Sequence, residues 1–226
     1  MFNKSNQITN NYLAFFCIFF MIGIIGLLIF NLYPQIDIIC ANYFFDININ
    51  KFNLKNNWWL AKFIHVYVKY SIIIFIALCY IYFIYKKYNK KIILSSFGII
   101  SLIPLTISTL KKFSSHACPW DLEIYGSNTK LVAWWEYAPH IAGKCFPAGH
   151  ASTGLCIMGI SLIFYYRNNI KIARYFYIGG IIAGLILGIS QQMRGAHFLS
   201  HTLASIYIAC TITNIGIFLA KKYAPK

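Results

Sequence analysis

YSIIIFIALCYIYFIYKKYNKKIILSSFGIISLIPLTISTLKK, Tyr70 to Lys112, sets two long apolar runs on either side of the basic hexapeptide KKYNKK, Lys86 to Lys91. Neither run alternates, and neither divides into a core stripe and a solvent stripe, so both read as membrane-crossing helices joined by a short turn. Four further blocks of the same kind flank them. Six helices are therefore expected, over roughly residues 12–32, 66–85, 92–110, 151–166, 175–190 and 198–220. The chain has 226 residues, 59% hydrophobic and 18% aromatic, with twenty Lys and Arg against five acids. That balance excludes an ordinary soluble domain, whose surface needs more charge. The expected fold is all-α, a polytopic six-helix transmembrane bundle with a long outer loop, residues 1–226 forming one integral-membrane domain. The first block lacks a small-residue cleavage site and ends in NLYPQ, so it reads as a retained helix rather than a cleaved signal.

Charge sets the expected orientation, because short cytoplasmic loops retain Lys and Arg. KKYNKK, RNNIKIAR (Arg167 to Arg174) and the tail KKYAPK carry ten positive charges and no negative one. All five acids, Asp37, Asp46, Asp121, Glu123 and Glu136, fall in the other set of loops. Both termini are thus expected in the cytoplasm, with Tyr33 to His65 and Lys111 to Gly149 facing outward. The net charge of +15 follows from topology. It does not point to nucleic acid, since the charges are split among short loops rather than gathered on one face.

Of seven cysteines, Cys17, Cys79, Cys156 and Cys210 fall inside helices, where burial accounts for them. Cys118 and Cys145 bracket the second outer loop. In a bacterial periplasm a bridge between them would pin the two halves of that loop together and leave Cys40 over.

Polar residues gather where the outer ends of helices meet. KKFSSHACPWD, Lys111 to Asp121, brings Lys111, Lys112 and His116. CFPAGHAST, Cys145 to Thr153, places Ala148, Gly149 and His150 at a helix start, where free N–H groups attract anions and small residues admit a ligand. QQMRGAHFLSH, Gln191 to His201, puts Arg194, His197 and His201 at i, i+3 and i+7, one helical face if the segment is helical through Gly195. A cation, imidazoles and an anion-binding helix end on one membrane face suit a phosphate site. His150, His197 and His201 also admit a zinc reading, but the Glu of H-E-x-x-H is absent, Phe198 standing there.

These residues resemble the type 2 phosphatidic acid phosphatases, whose pattern runs K-x6-RP, PSGH and SR-x5-H-x3-D. Lys111 is followed after six residues by Cys118 and Pro119; Pro147, Ala148, Gly149 and His150 stand at PSGH; Gln191, His197 and His201 stand at the second Arg, the His and the Asp. Cys118, Ala148, Gln191 and His201 thus replace family residues, and Arg194 lies one turn beyond Gln191. CPWDL and HFLSH are similar to a membrane-associated subgroup acting on envelope lipids.

The resemblance implies a hydrolase of lipid phosphates in a bacterial inner membrane, with lipid A favoured and undecaprenyl diphosphate or phosphatidylglycerol phosphate also compatible. It implies no metal or other cofactor. His197 would form a phosphohistidine, His150 would act as acid and base, and His201 would orient His197, either with help from Asp121, Glu123 or Glu136 or with less electrostatic support. Lys111, Lys112, Arg194, Gln191 and the backbone of Ala148 and Gly149 would hold phosphate. Trp120, Trp134 and Trp135 suit an interfacial belt at a lateral lipid entrance. Transfer of phosphate to a second lipid, or lipid binding without catalysis, are the other readings of the same residues.

Overall fold

The structure, a computed structural model, describes residues 2–133, 136 and 144–223; Trp134 and Trp135 lie outside the described residues. The order is α1 (Phe2–Leu32), α2 (Gln35–Asn42), a two-stranded hairpin of β1 (Phe45–Asp46) and β2 (Lys51–Phe52), wide π-helical turns Trp59–Val68 running into α3 (Lys69–Tyr85), then α4 (Lys90–Phe113). After two 3-10 turns, Pro119–Asp121 and Glu123–Tyr125, come α5 (Gly149–Leu155), tight turns Cys156–Ile160, α6 (Ser161–Tyr166), α7 (Ile170–Met193) and α8 (Leu199–Tyr223).

Among the described residues, four helical stretches are long and apolar enough to cross a membrane: Trp59–Tyr85, Lys90–Phe113, Ile170–Met193 and Leu199–Ala220. The first apolar block lies within α1, and the chain bends just after it, α1 and α2 meeting at 76° across Tyr33 and Pro34. Pro34 lacks the N–H that would continue the ladder. The helix expected over 151–166 is three consecutive pieces, α5, the tight turns and α6. Asn residues start two of the long helices: the Asn89 side chain accepts from the N–H groups of Lys91 and Ile92, and Asn169 accepts from Ile172.

The α5–α6 rod is the centre of the bundle. Its Ala151, Leu155, Met158, Ile160 and Leu162 are buried against Ile103 and Ile107 of α4 and against α7 and α8. Close approach is possible because Gly154 faces the α7 backbone; a Cβ there would stand 2.5 Å from the Ala183 carbonyl carbon and the Gly184 nitrogen. Ser96 of α4 donates to the Gly159 carbonyl at 2.7 Å and meets the Tyr80 hydroxyl at 2.6 Å, joining α3, α4 and the rod by polar contacts. The side chains left outside, such as Ile73, Ile74, Leu78 and Ile81 on α3, are apolar and exposed, as lipid contact requires.

The two ends of the bundle differ. At one, Arg167 after α6 lies 4.2 Å from the Tyr88 ring centre, so the two basic turns sit together. At the other, the hairpin, α2 and the 3-10 turns form a small second core of Ala41, Phe52, Ala117, Leu122, Tyr125 and Phe198. Phe45, Phe52 and Tyr125 pack their rings within 4.7 to 5.2 Å of one another there.

Candidate phosphoryl-transfer site

Beneath that second core, four pieces of chain meet: the end of α4, the start of α5, the wide turns before α3, and the junction of α7 with α8. The junction is not one continuous helix, as the i, i+3, i+7 expectation required. Gly195 takes φ +75°, its N–H donates to the Gln192 carbonyl and Ala196 donates to Gln191, the paired bonds that close a helix on a left-handed glycine. Arg194 therefore caps α7, His197 lies in the turn, and His201 sits in the first turn of α8. Asp37 on α2 accepts from the Ser200 N–H at 2.9 Å and from the Ser200 hydroxyl, a carboxylate at the helix N-terminus that seats α8.

His197 and His201 are buried, their Nδ1 atoms 3.3 Å apart. The other nitrogen of His201, Nε2, lies 3.0 Å from Nδ1 of His116, so this ring leans on a third imidazole. Glu123 and Glu136 are exposed, and Asp121 is half-buried. His150, at the start of α5, has its ring centre 6.1 Å from that of His197. Its Nε2 is 3.1 Å from Nε2 of His65.

His65 is the residue that sequence reasoning passed over, because it closes an outer loop in front of an apolar run. A histidine inside WLAKFIHVYV at the outer end of a membrane helix was the signal available. The π-helical turns hold it against the Gln191 Oε1 at 3.3 Å and the Arg194 Nη1 at 3.4 Å. Arg194 donates from Nη1 to Gln191 at 3.0 Å and from Nε to the Lys55 carbonyl at 2.9 Å, which brings its guanidinium back over the position of Gln191.

The remaining residues divide. Lys111 is half-buried, and its ammonium would stand 3.8 Å from a Cβ built on Gly149; Lys112 is exposed. Ala148 does not offer its N–H to an anion, contrary to expectation. That N–H donates to the His201 carbonyl at 3.0 Å, and the Ala148 carbonyl accepts from Ser205 at 3.0 Å. Ala148 thereby ties α5 to α8. Cys118 and Cys145 form a disulfide, and Cys145 N–H donates to the His116 carbonyl at 2.9 Å, holding the chain after α4 to the chain before α5. Trp120 lies in the same region, 4.8 Å from the Lys55 ammonium and 5.8 Å from the Arg194 guanidinium.

The order Lys111, His150, His197 along the chain, now brought into one site, corresponds to a family that can be named. The family model of the PAP2 superfamily matches residues 92–223, more than half of the chain. The chain belongs to the PAP2 superfamily. The match runs from α4 through α8; of the site residues named above, Asp37, Lys55 and His65 come from the chain before it. PAP2 members are phosphatases, which supports a phosphoester hydrolase here, in a multi-pass membrane protein. No curated protein and no solved structure matches the chain.

Burial first, and then the charge of Lys111, hold the His197 imidazole well below its ordinary value, which keeps the ring neutral with a lone pair to offer. Burial pushes His116 down to about 4 from 6.5. Unfolding exposes both rings, so between pH 6.5 and about 4 the unfolded chain binds protons that the folded one refuses. Stability is expected to be highest above pH 6.5 and to fall as pH drops toward 4. Thermal unfolding in mild detergent across that range checks this; a midpoint that rises on acidification contradicts it.

Proposed function

We propose that the protein is a membrane lipid phosphatase of a bacterial inner membrane, hydrolysing a phosphomonoester or diphosphate of an envelope lipid through a phosphohistidine on His197. One observation carries the reading. A buried His197, paired through Nδ1 and so presenting Nε2, faces His150 at 6.1 Å between ring centres, close enough for one phosphoryl group to reach both.

In the first step the Nε2 lone pair of His197 bonds to phosphorus, and the lipid oxygen leaves with the former P–O electron pair and a proton from His150. In the second, water attacks the phosphohistidine, gives its proton to His150 and returns the bonding pair to His197. Charge spreads over the equatorial oxygens as this happens. Lys111 beside Gly149, and Arg194 beside Gln191 and His65, are the cations placed to oppose it. His65, its Nε2 3.1 Å from that of His150, orients the His150 ring for both steps.

The six-span arrangement with cytoplasmic termini and a periplasmic site is part of the proposal, supported by the basic turns gathered at the end opposite the histidines. A lipid would enter sideways, its chains in the bilayer and its phosphate at the outer end. Lipid A is favoured on the likeness of CPWDL and HFLSH to an envelope-modifying subgroup.

The test is phosphate release in proteoliposomes from radiolabelled lipid A, undecaprenyl diphosphate and phosphatidylglycerol phosphate, each offered alone. Free labelled phosphate from lipid A is the expected result. Label recovered on a second lipid would make the protein a transferase, and no transfer of label from any of the three would overturn the reading.

A further inference from the structure

We infer that His201 and His116 form a two-imidazole relay that takes the Nδ1 proton of His197 while its Nε2 bonds to phosphorus, a task otherwise suited to a carboxylate. The inference rests on the phosphohistidine reading above. Its geometry is the chain of nitrogens His197 Nδ1 to His201 Nδ1 at 3.3 Å and His201 Nε2 to His116 Nδ1 at 3.0 Å, three rings drawn from the α7–α8 turn, α8 and the segment after α4.

A neutral imidazole carries one N–H and one lone pair, so a chain of them is consistent only if every ring donates in the same direction. With His197 donating to His201 and His201 donating to His116, the bare nitrogen of His197 is Nε2, the nucleophile. In the opposite direction Nε2 would hold the proton and could not attack. The chain therefore ties the tautomer of His197 to those of His201 and His116 and holds its orientation, the direction that leaves Nε2 bare being the reactive one.

The relay also answers a charge problem. When His197 becomes bonded to phosphorus at Nε2 with Nδ1 still protonated, its ring is cationic, in a buried site that already holds Lys111. Neutral His201 offers no negative charge, and a cation stranded on it would be fully enclosed, since His201 is 0% exposed. Onward transfer removes the difficulty. The Nδ1 proton of His197 moves to His201 Nδ1, and the Nε2 proton of His201 moves to His116 Nδ1. His197 is left as a neutral phosphoimidazole, His201 is neutral again, and His116 is the cation. Water attack reverses both transfers as the P–N pair returns to His197.

His116 also resists that charge, burial holding its pKa at about 4, but His201 is the more enclosed of the two, 0% against 5% exposed. His116 lines a small cavity of about 110 Å³ together with Asn31 and Asp37, so the charge ends beside a cavity that holds a carboxylate. Phe146 and Phe198 present their rings to His116 and His201 within 5.4 to 6.3 Å and keep the path dry, so protons pass between the imidazoles rather than to solvent.

The variant that separates a relay from a structural role is His116→Asn. Its Oδ1 stands where Nδ1 does and accepts the same hydrogen bond from His201, but it takes up no proton. In single-turnover assays of the full-length protein in proteoliposomes the phosphorylation rate is expected to fall about tenfold or more, with KM changed less than about twofold. Placing a carboxylate next to the nucleophile in His201→Asp should make the same His116→Asn change nearly silent. Independently of any variant, a relay moving several protons bows the dependence of the wild-type rate on deuterium fraction, whereas one proton gives a straight line. An active wild type with a straight line, or a His116→Asn protein with unchanged rate, overturns the relay and leaves the phosphohistidine reading standing. A wild type that shows no acid-labile phosphoenzyme overturns that reading and the relay with it.

Discussion

His197→Ala is expected to abolish both phosphate release and the acid-labile phosphoenzyme, and His150→Ala to lose at least about a hundredfold on a lipid phosphate, the usual scale for a general acid or base. The two losses should differ in kind. His197 lies buried in the turn that Gly195 creates, with Nδ1 engaged by His201, so its replacement removes the nucleophile itself. His150 supplies a proton to the departing oxygen. A p-nitrophenyl leaving group needs none, and on that substrate the first step of His150→Ala should be nearly restored. Its second step still lacks a base for water, so phosphoenzyme should accumulate. Acid-quenched and base-quenched labelling of the two variants reads this directly. Full activity in His197→Ala, or equal losses on both substrates in His150→Ala, would assign the chemistry to other groups.

Gly154→Ala is expected to be the most damaging single methyl in the bundle. The added carbon would stand 2.5 Å from two backbone atoms of α7 and 2.8 Å from the Ala183 carbonyl oxygen, and backbone cannot rotate aside as a side-chain end does. The rod must therefore back away from α7. Overpacking of this kind costs about 1–3 kcal/mol, and because His150 lies one turn before Gly154 on α5, the same movement draws it from His197 on the α7 side. Both the unfolding midpoint in detergent and the turnover rate should drop. Gly179→Ala, where a Cβ would have no neighbour within 4 Å, is the control and should be neutral or slightly stabilising, since alanine favours the helix by about 1 kcal/mol. Equal midpoints for the two variants would mean that the close approach of α5 and α7 does not hold the site together.

What could be read before any coordinates was the part governed by short stretches of chain. Apolar run length gave the helices to within a few residues at α3, α4 and α8, and the basic turns that the structure places together were legible from charge alone. His150 at a helix start, and Lys111 at a helix end, were visible from small residues and charge at the edges of apolar runs. Gly195 is a position the sequence leaves open: Arg194, His197 and His201 share one face only if the helix runs through it, and its left-handed φ closes the helix there.

Sequence by itself determined a membrane-spanning helical chain and which segments carry its polar chemistry, because hydropathy and capping act over a few residues. Only the tertiary structure decided the partners. His65 meets His150, and His116 meets His201, in each case across 85 residues. Ala148 gives its N–H to α8, and Arg194 turns back toward Gln191. Those pairings depend on how closely α5 can approach α7 and on where α2 seats α8, and no local pattern encodes a distance set by the packing of separate helices.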